Sequence, residues 1–82
     1  QLTELRELFL HRTNITDSSL NKFHQLRKLR VLHLSNTKIS DAGLESLYSL
    51  TNLEELYLNE TLISEEGGLK LRKALPRTKV EW

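Results

Sequence analysis

Leucines recur along the chain at a fixed spacing of 24 residues. Leu8, Leu32 and Leu56 mark this period, and the residues around them align in columns. The other aligned columns are Leu2/Leu26/Leu50, Leu5/Leu29/Leu53, Leu10/Leu34/Leu58, Thr13/Thr37/Thr61, Ile15/Ile39/Ile63 and Phe23/Leu47/Leu71. Self-similarity at such a period indicates a stack of structural repeats, each burying its apolar side against its neighbours. The 82 residues are therefore predicted to form one elongated domain.

Each repeat is predicted to contain a short strand and a helical segment. Residues such as Leu8-Phe9-Leu10 alternate with period two, which places the leucines inward. Because helical crossovers separate the strands, the strands must lie parallel and in register. Helical segments are predicted at about 17–25, 41–49 and 65–75. Each follows a hydroxyl residue suited to capping it and begins with an acid that the helix dipole favours: Thr16/Asp17, Ser40/Asp41 and Ser64/Glu65.

The third repeat departs from this pattern. Gly68 occupies the column of Leu20 and Leu44, so we expect Leu69 to fill the gap and this helix to be the loosest. Val80 and Trp82 stand 24 residues after Leu56 and Leu58. They predict a fourth strand at Lys79–Trp82 that covers the last repeat.

The N-terminal edge of the stack is predicted to be apolar and exposed. It comprises Leu5, Leu8, Leu10, Ile15, Leu20 and Phe23. Solenoids need polar caps at their ends for solubility. Two interpretations follow: the chain is the C-terminal end of a longer array, or this edge mediates self-association.

The pattern LxxLxxLxLxxTxIxDxxL over residues 2–71 resembles the leucine-rich repeat family. The 24-residue unit with threonine at the turn is similar to a bacterial subtype and to the cysteine-containing subtype, and residues 71–82 resemble a final repeat. The resemblance implies an α/β right-handed solenoid with a parallel sheet on its concave face and short helices on its convex face. Repeats are expected at about 2–25, 26–49 and 50–73, with a closing strand at about 76–82.

The residues between the inward leucines are the predicted binding surface. Phe9, His33 and Tyr57 should form a ladder of rings, because neighbouring strands lie about 4.8 Å apart. Aromatic residues and arginine are enriched in interface cores. The alternative is that the stacked rings only stabilise the sheet. The candidate partner-binding residues are Glu7, Phe9, His11, Arg12, Val31, His33, Ser35, Asn36, Glu55, Tyr57, Asn59 and Glu60.

Other functional classes receive less support from the sequence. The net charge of +1 argues against a dedicated nucleic-acid binder, and no apolar run is long enough for a membrane span. Zinc needs three or four converging ligands, and the chain has three histidines and no cysteine. A flat ladder offers neither an oxyanion hole nor a deep pocket. We predict no catalytic residue, metal or cofactor, and make no prediction of cellular location.

The family resemblance implies protein binding as the commonest role. The sequence is therefore interpreted as a protein-interaction scaffold with a partner of unknown identity. Two alternatives stay open. One is a purely structural end fragment of a longer repeat protein. The other, suggested by the similarity to the cysteine-containing subtype, is the substrate-receptor segment of a ubiquitin ligase.

Overall fold

Four short parallel strands form one sheet in the computed structural model, which describes residues 4–82. The strands are β1 (Glu7–Phe9), β2 (Val31–His33), β3 (Glu55–Tyr57) and β4 (Lys79–Glu81), and they lie in chain order. Leu32 pairs in register with Leu8 on one side and Leu56 on the other. The predicted parallel arrangement and its register are therefore confirmed, while the aligned residue Leu2 lies outside the described residues.

The opposite side of the stack varies from repeat to repeat. The first connection is α1 (Asp17–Leu20) followed by a 3-10 helix at Asn21–Gln25, and the second is a 3-10 helix at Asp41–Leu47. The third is the ten-residue helix α2 (Glu65–Ala74). The segment expected to be the loosest is thus the longest and most regular of the three.

Leucine side chains fill the space between the sheet and the helical segments. Leu32 and Leu56 are fully buried, and the inward position of β4 is held by Val80. The same core includes Leu29, Leu34, Ile39, Leu47, Leu50, Leu53, Leu58, Leu71 and Leu75. This shared interior holds the short strands in place, because three-residue strands carry too few hydrogen bonds to be stable alone.

The N-terminal edge is less exposed than the sequence predicted. Leu20 is fully buried, which contradicts its assignment to an open edge. The other predicted edge residues are only partly buried and pack against the core: Leu5, Leu8, Leu10, Ile15 and Phe23. Leu20 differs because it ends α1, which packs against the 3-10 helix Asp41–Leu47 of the second repeat.

Trp82 fills the gap left by Gly68. A methyl group on Gly68 would lie 2.1 Å from Cε2 of Trp82, so the indole ring occupies that space. Leu69 instead remains 48% exposed, because its neighbouring position on α2 points away from the core. The expectation that Leu69 fills the gap is wrong, and the predicted strand ends one residue earlier, at Glu81.

Two aspartates tie successive repeats together. Asp17 accepts hydrogen bonds from the backbone N–H of Ser40 at 2.7 Å and from its hydroxyl at 2.5 Å. Asp41 accepts the same pair from Ser64. Ser40 and Ser64 also cap the following helices as predicted, and Thr16 begins α1 in a capping box with Ser19, whose Oγ accepts a hydrogen bond from the backbone N–H of Thr16 at 3.4 Å. The helix dipole alone was the role predicted for these aspartates, and their link between repeats was not predicted.

The turn after each of the first three strands has a left-handed residue followed by a threonine. Each threonine hydroxyl donates to the carbonyl three residues earlier, at 2.7–2.8 Å. This bond satisfies a carbonyl at the point where the chain leaves the sheet. The left-handed residues, each with φ of 60°, are Arg12, Asn36 and Glu60.

Candidate functional site

The outer side of the sheet, here called the sheet face, carries two columns of side chains. In each strand the middle residue points into the core and the two flanking residues point outward. The columns are Glu7/Val31/Glu55/Lys79 and Phe9/His33/Tyr57/Glu81. The predicted set of binding residues stops at the third strand, although the same register carries both columns on to β4.

The second column contains a continuous stack of rings. The centroids of Phe9 and His33 are 5.9 Å apart with an interplanar angle of 28°, and those of His33 and Tyr57 are 5.0 Å apart. His11 joins from the end of its strand, 4.8 Å from the ring of His33. Phe9 is 54% exposed, so a large apolar surface faces water at one end of the stack. The predicted ladder of rings is therefore present.

The central ring of the stack, that of His33, carries a buried nitrogen atom. His33 is partly buried, and its Nδ1 has no hydrogen-bond partner among the described residues. The ring lies between Phe9 and Tyr57 and against His11, which explains its limited contact with water. Within residues 4–82, Nδ1 of His33 therefore adds no hydrogen bond to the ring contacts that hold the stack.

Carboxylates surround the other end of the stack. The hydroxyl of Tyr57 donates a hydrogen bond to Oε1 of Glu55. This bond raises the pKa of Tyr57, with further contributions from burial and from the negative charges of Glu55 and Glu81. Glu55 precedes Tyr57 by two residues on the same strand, and Glu81 is its register partner on β4. Two acidic side chains from adjacent strands therefore both raise the pKa of the Tyr57 phenol.

The sheet face as a whole is acidic. Glu7, Glu55 and Glu81 contribute three carboxylates, and Lys79 contributes one ammonium group. Nζ of Lys79 lies 3.3 Å from Oε2 of Glu81. Lys79 is exposed and Glu81 is only half-buried, so this ion pair contributes little to stability. The charge of the face contrasts with the net charge of +1 of the chain.

The remaining predicted binding residues lie where the strands end. Ser35 is buried, and its Oγ accepts a hydrogen bond from the backbone N–H of Asn59 at 3.2 Å, so it supports the neighbouring repeat. Asn59 is partly buried beside it. Arg12, Asn36 and Glu60 occupy the left-handed turn positions and are exposed at the rim. Of these residues, only Ser35 is withdrawn from the surface.

Residues 4–82 contain neither a cluster of potential metal ligands nor a long apolar helix. No group of three or more histidine, cysteine, aspartate or glutamate side chains converges there as metal ligands. No helix in the same range is long and apolar enough to cross a membrane. His24 lies on the helical side, away from His11 and His33, with its Nδ1 2.5 Å from the carbonyl oxygen of Asn21.

The architecture is similar to that of two solved structures. An internalin of Listeria monocytogenes matches 98% of this chain with a TM-score of 0.82 and 26% identity. A leucine-rich repeat protein of Leptospira interrogans matches 96% of it with a TM-score of 0.70 and 24% identity, a likeness of fold alone. The chain covers only 22% and 26% of those two proteins.

Part of the repeat pattern described above matches the sequence model of a known family. No curated protein matches the sequence significantly. The model for leucine-rich repeats in two copies matches residues 27–71, which is more than half of the chain. The matched range contains β2, β3 and the inward leucines between them. The chain therefore belongs to the leucine-rich repeat family.

Proposed function

We propose that the chain is a protein-interaction scaffold whose binding surface is the sheet face. The observation that carries this proposal is the stack of Phe9, His33 and Tyr57 on a regular parallel sheet. The stack presents rings at fixed spacing because the middle residue of each strand packs into the core, fully buried in β2 and β3 and partly buried in β1. A rigid surface loses little conformational entropy when a partner binds.

Exposed apolar surface supports the same proposal. Phe9 leaves more than half of its surface in water, and a polar rim surrounds the rings. Contiguous apolar surface with a polar rim is typical of protein interaction sites. The competing interpretation is that ring stacking across strands serves only stability, at about 0.2–1 kcal/mol per pair.

Selection from a random peptide library tests this proposal without requiring the natural partner. The library is selected against the immobilised chain, and the selected peptides are measured on variants. We expect the Phe9→Ala/Tyr57→Ala variant to weaken most of them by more than about 1 kcal/mol, roughly fivefold.

The matched control is Leu69→Ala, which removes an exposed apolar side chain from the helical side. This variant should bind the selected peptides as the wild type does. If the double variant keeps full binding and loses only thermal stability, the stack is structural and the proposal fails.

We further propose that the chain is the C-terminal end of a bacterial-type array. Support comes from Trp82, whose ring occupies the space beside Gly68. The partly buried leucines of the opposite edge fit either a preceding repeat or a second copy of the chain. Sedimentation tests the second arrangement: a monomer at high concentration would exclude self-association through that edge.

Among the described residues, no feature favours a ubiquitin-ligase role, and we do not propose one.

A further inference from the structure

We propose that the sheet face selects partner segments carrying arginine or lysine, with the cationic group seated at Tyr57 between Glu55 and Glu81. This inference rests on the proposed function of the sheet face and specifies the chemistry of the partner. It follows from the charge of the face, from the surroundings of Tyr57 and from a similar arrangement elsewhere in the chain.

The charge of the sheet face favours a basic partner. Three of its eight residues are glutamates, and its one lysine is already paired with one of them. Among the described residues, Glu7 and Glu55 form no ion pair. An acidic partner would place like charges together, which costs affinity, whereas a basic one is attracted and steered to the face.

Tyr57 provides a specific seat for the cation. Its hydroxyl is held by Glu55, whose charge is not neutralised by an ion pair among the described residues, and Glu81, which shares its charge with Lys79, lies on the adjacent strand. A cation within about 6 Å of an aromatic ring centroid is attracted by the ring electrons. Within residues 4–82 only Oε1 of Glu55 accepts a hydrogen bond, from the phenol, so the second carboxylate oxygen is available to a guanidinium or ammonium group. The ring and the carboxylates would therefore act on the same ligand group.

The chain builds the same combination within its own structure. The guanidinium of Arg72 lies 4.5 Å from the centroid of the Trp82 ring. Nε1 of Trp82 donates to Oε1 of Glu65 at 3.1 Å. A ring hydrogen-bonded to a glutamate is thus covered by an arginine of the same chain. Tyr57 and Glu55 repeat the bonded pair of ring and carboxylate, with the cation left for a partner to supply.

Direct titration with charged peptides tests the inference. Fluorescein-labelled hexa-arginine and hexaglutamate peptides are titrated with the intact chain at low salt, and fluorescence anisotropy is recorded. We expect hexa-arginine to bind, hexaglutamate not to bind, and binding to weaken with rising ionic strength because exposed charges are screened. Failure of hexa-arginine to bind, or binding of hexaglutamate, overturns the inference.

Variants then locate the bound peptide. The Glu55→Gln/Glu81→Gln variant should lower the association constant for hexa-arginine about tenfold, because two charged contacts are lost. The control is Glu45→Gln/Glu66→Gln, which removes the same charge from exposed positions on the helical side and should change binding less than twofold. Equal losses in both variants would show unspecific attraction and overturn the inference. Circular dichroism melts verify that both variants are folded.

Tyr57 variants separate the ring from the charges. Tyr57→Phe retains the ring and should keep most of the binding, whereas Tyr57→Leu should weaken it several-fold. Equal binding by these two variants would remove the ring from the inferred site.

The failure of this inference can be distinguished from failure of the proposed function. Library-selected peptides that lack basic residues, yet lose binding in the Phe9→Ala/Tyr57→Ala variant, would overturn the basic preference and leave the sheet face as the binding surface. If the selected peptides bind that variant as strongly as the wild type, the proposed function itself is wrong, and the inference that rests on it is wrong as well.

Discussion

Asp41 of the second repeat accepts two hydrogen bonds from Ser64 of the third, one from the backbone N–H at 2.9 Å and one from the hydroxyl at 2.5 Å. Asp17 and Ser40 form the same pair one repeat earlier. These bonds join the starts of successive helical segments. They therefore fix the helical side of the stack while the leucines fix the sheet.

Acid should weaken this link. The hydrogen bonds from Ser64 lower the pKa of Asp41, hydroxyl first and backbone second. A lowered pKa in the folded state stabilises the fold above the unfolded pKa, and this contribution is lost as the pH falls through the folded pKa. Asp41→Asn should therefore lower the free energy of unfolding near neutral pH by about 0.5–1 kcal/mol, a small value because these hydrogen bonds are exposed. The variant should also lose less stability than the wild type when the pH falls below ~4.

Thermal melts between pH 2 and 6 measure this effect. Glu45→Gln serves as the control, since it removes another exposed carboxylate from the helical side. The interpretation is wrong if Asp41→Asn and the control give parallel stability curves.

Gly67 makes room for this aspartate, so its replacement by alanine should disrupt the link. A methyl group there would lie 2.3 Å from Oδ1 of Asp41, and relief requires the carboxylate to leave Ser64. We expect Gly67→Ala to cost about 1 kcal/mol, although alanine normally favours a helix by a similar amount. In an Asp41→Ala background the same substitution should be stabilising. Urea melts of the wild type, the two single variants and the double variant measure the coupling energy between Gly67→Ala and Asp41→Ala. Additive effects of the two substitutions would refute the steric explanation.

Gly68→Ala should displace the indole ring of Trp82. The added methyl would overlap that ring at 2.1 Å, and overpacking of this kind costs about 1–3 kcal/mol. Since Trp82 is the single tryptophan, its emission should shift to longer wavelength as the ring becomes exposed. With Trp82→Ala as background, Gly68→Ala should be neutral or stabilising, because α2 gains a better helix former. An unchanged emission maximum in the single variant would contradict this packing.

The sheet was predictable from the sequence because its determinants are local and periodic. Alternation around Leu32 and Leu56, repeated every 24 residues, specifies both the inward face and the register. The outward columns follow directly, which is why the ring stack could be predicted.

The helical side was less predictable because its contacts depend on individual side chains that the spacing of the leucines does not specify. Trp82 fills the space of a missing leucine at Gly68, and no periodicity points from one to the other. The bonds from Ser64 to Asp41 likewise depend on side-chain positions across a repeat boundary. At the candidate site, the hydrogen bond between Tyr57 and Glu55 joins close neighbours on one strand, but alternation places both side chains outward without specifying their contact.

The left-handed turn residues offer a way to stabilise the stack. Arg12 and Glu60 adopt φ of 60°, a region that costs a side-chain-bearing residue about 1–2 kcal/mol. Glycine removes this cost but loses about 0.5–1 kcal/mol through the greater freedom of its unfolded state. Arg12→Gly and Glu60→Gly should each stabilise by about 0.5–1 kcal/mol. Asn36→Gly is the control with a smaller gain, because asparagine tolerates this conformation. Destabilisation by Arg12→Gly in thermal melts would show that its side chain makes a larger contribution than its backbone strain.

Ionisation of Tyr57 should report directly on the acidic end of the ring stack. In a Tyr48→Phe background Tyr57 is the only tyrosine, so phenolate absorbance during an alkaline titration follows this residue alone. Its pKa is raised first by the hydrogen bond to Glu55 and also by the negative charge of Glu81. Glu55→Gln should therefore lower the titration midpoint, and Glu81→Gln should lower it less.

The sign of the linked stability change follows from the same shift. Because folding raises the pKa of Tyr57, the neutral phenol contributes to stability below its unfolded pKa, and this contribution disappears as the pH rises through the folded value. Wild-type melting temperatures should consequently fall more steeply in alkali than those of Glu55→Gln. Glu60→Gln, at the rim of the same repeat, is the control that should leave the midpoint unchanged. If Glu55→Gln leaves it unchanged as well, Glu55 does not hold the phenol, and the seat inferred for a basic side chain loses its main support.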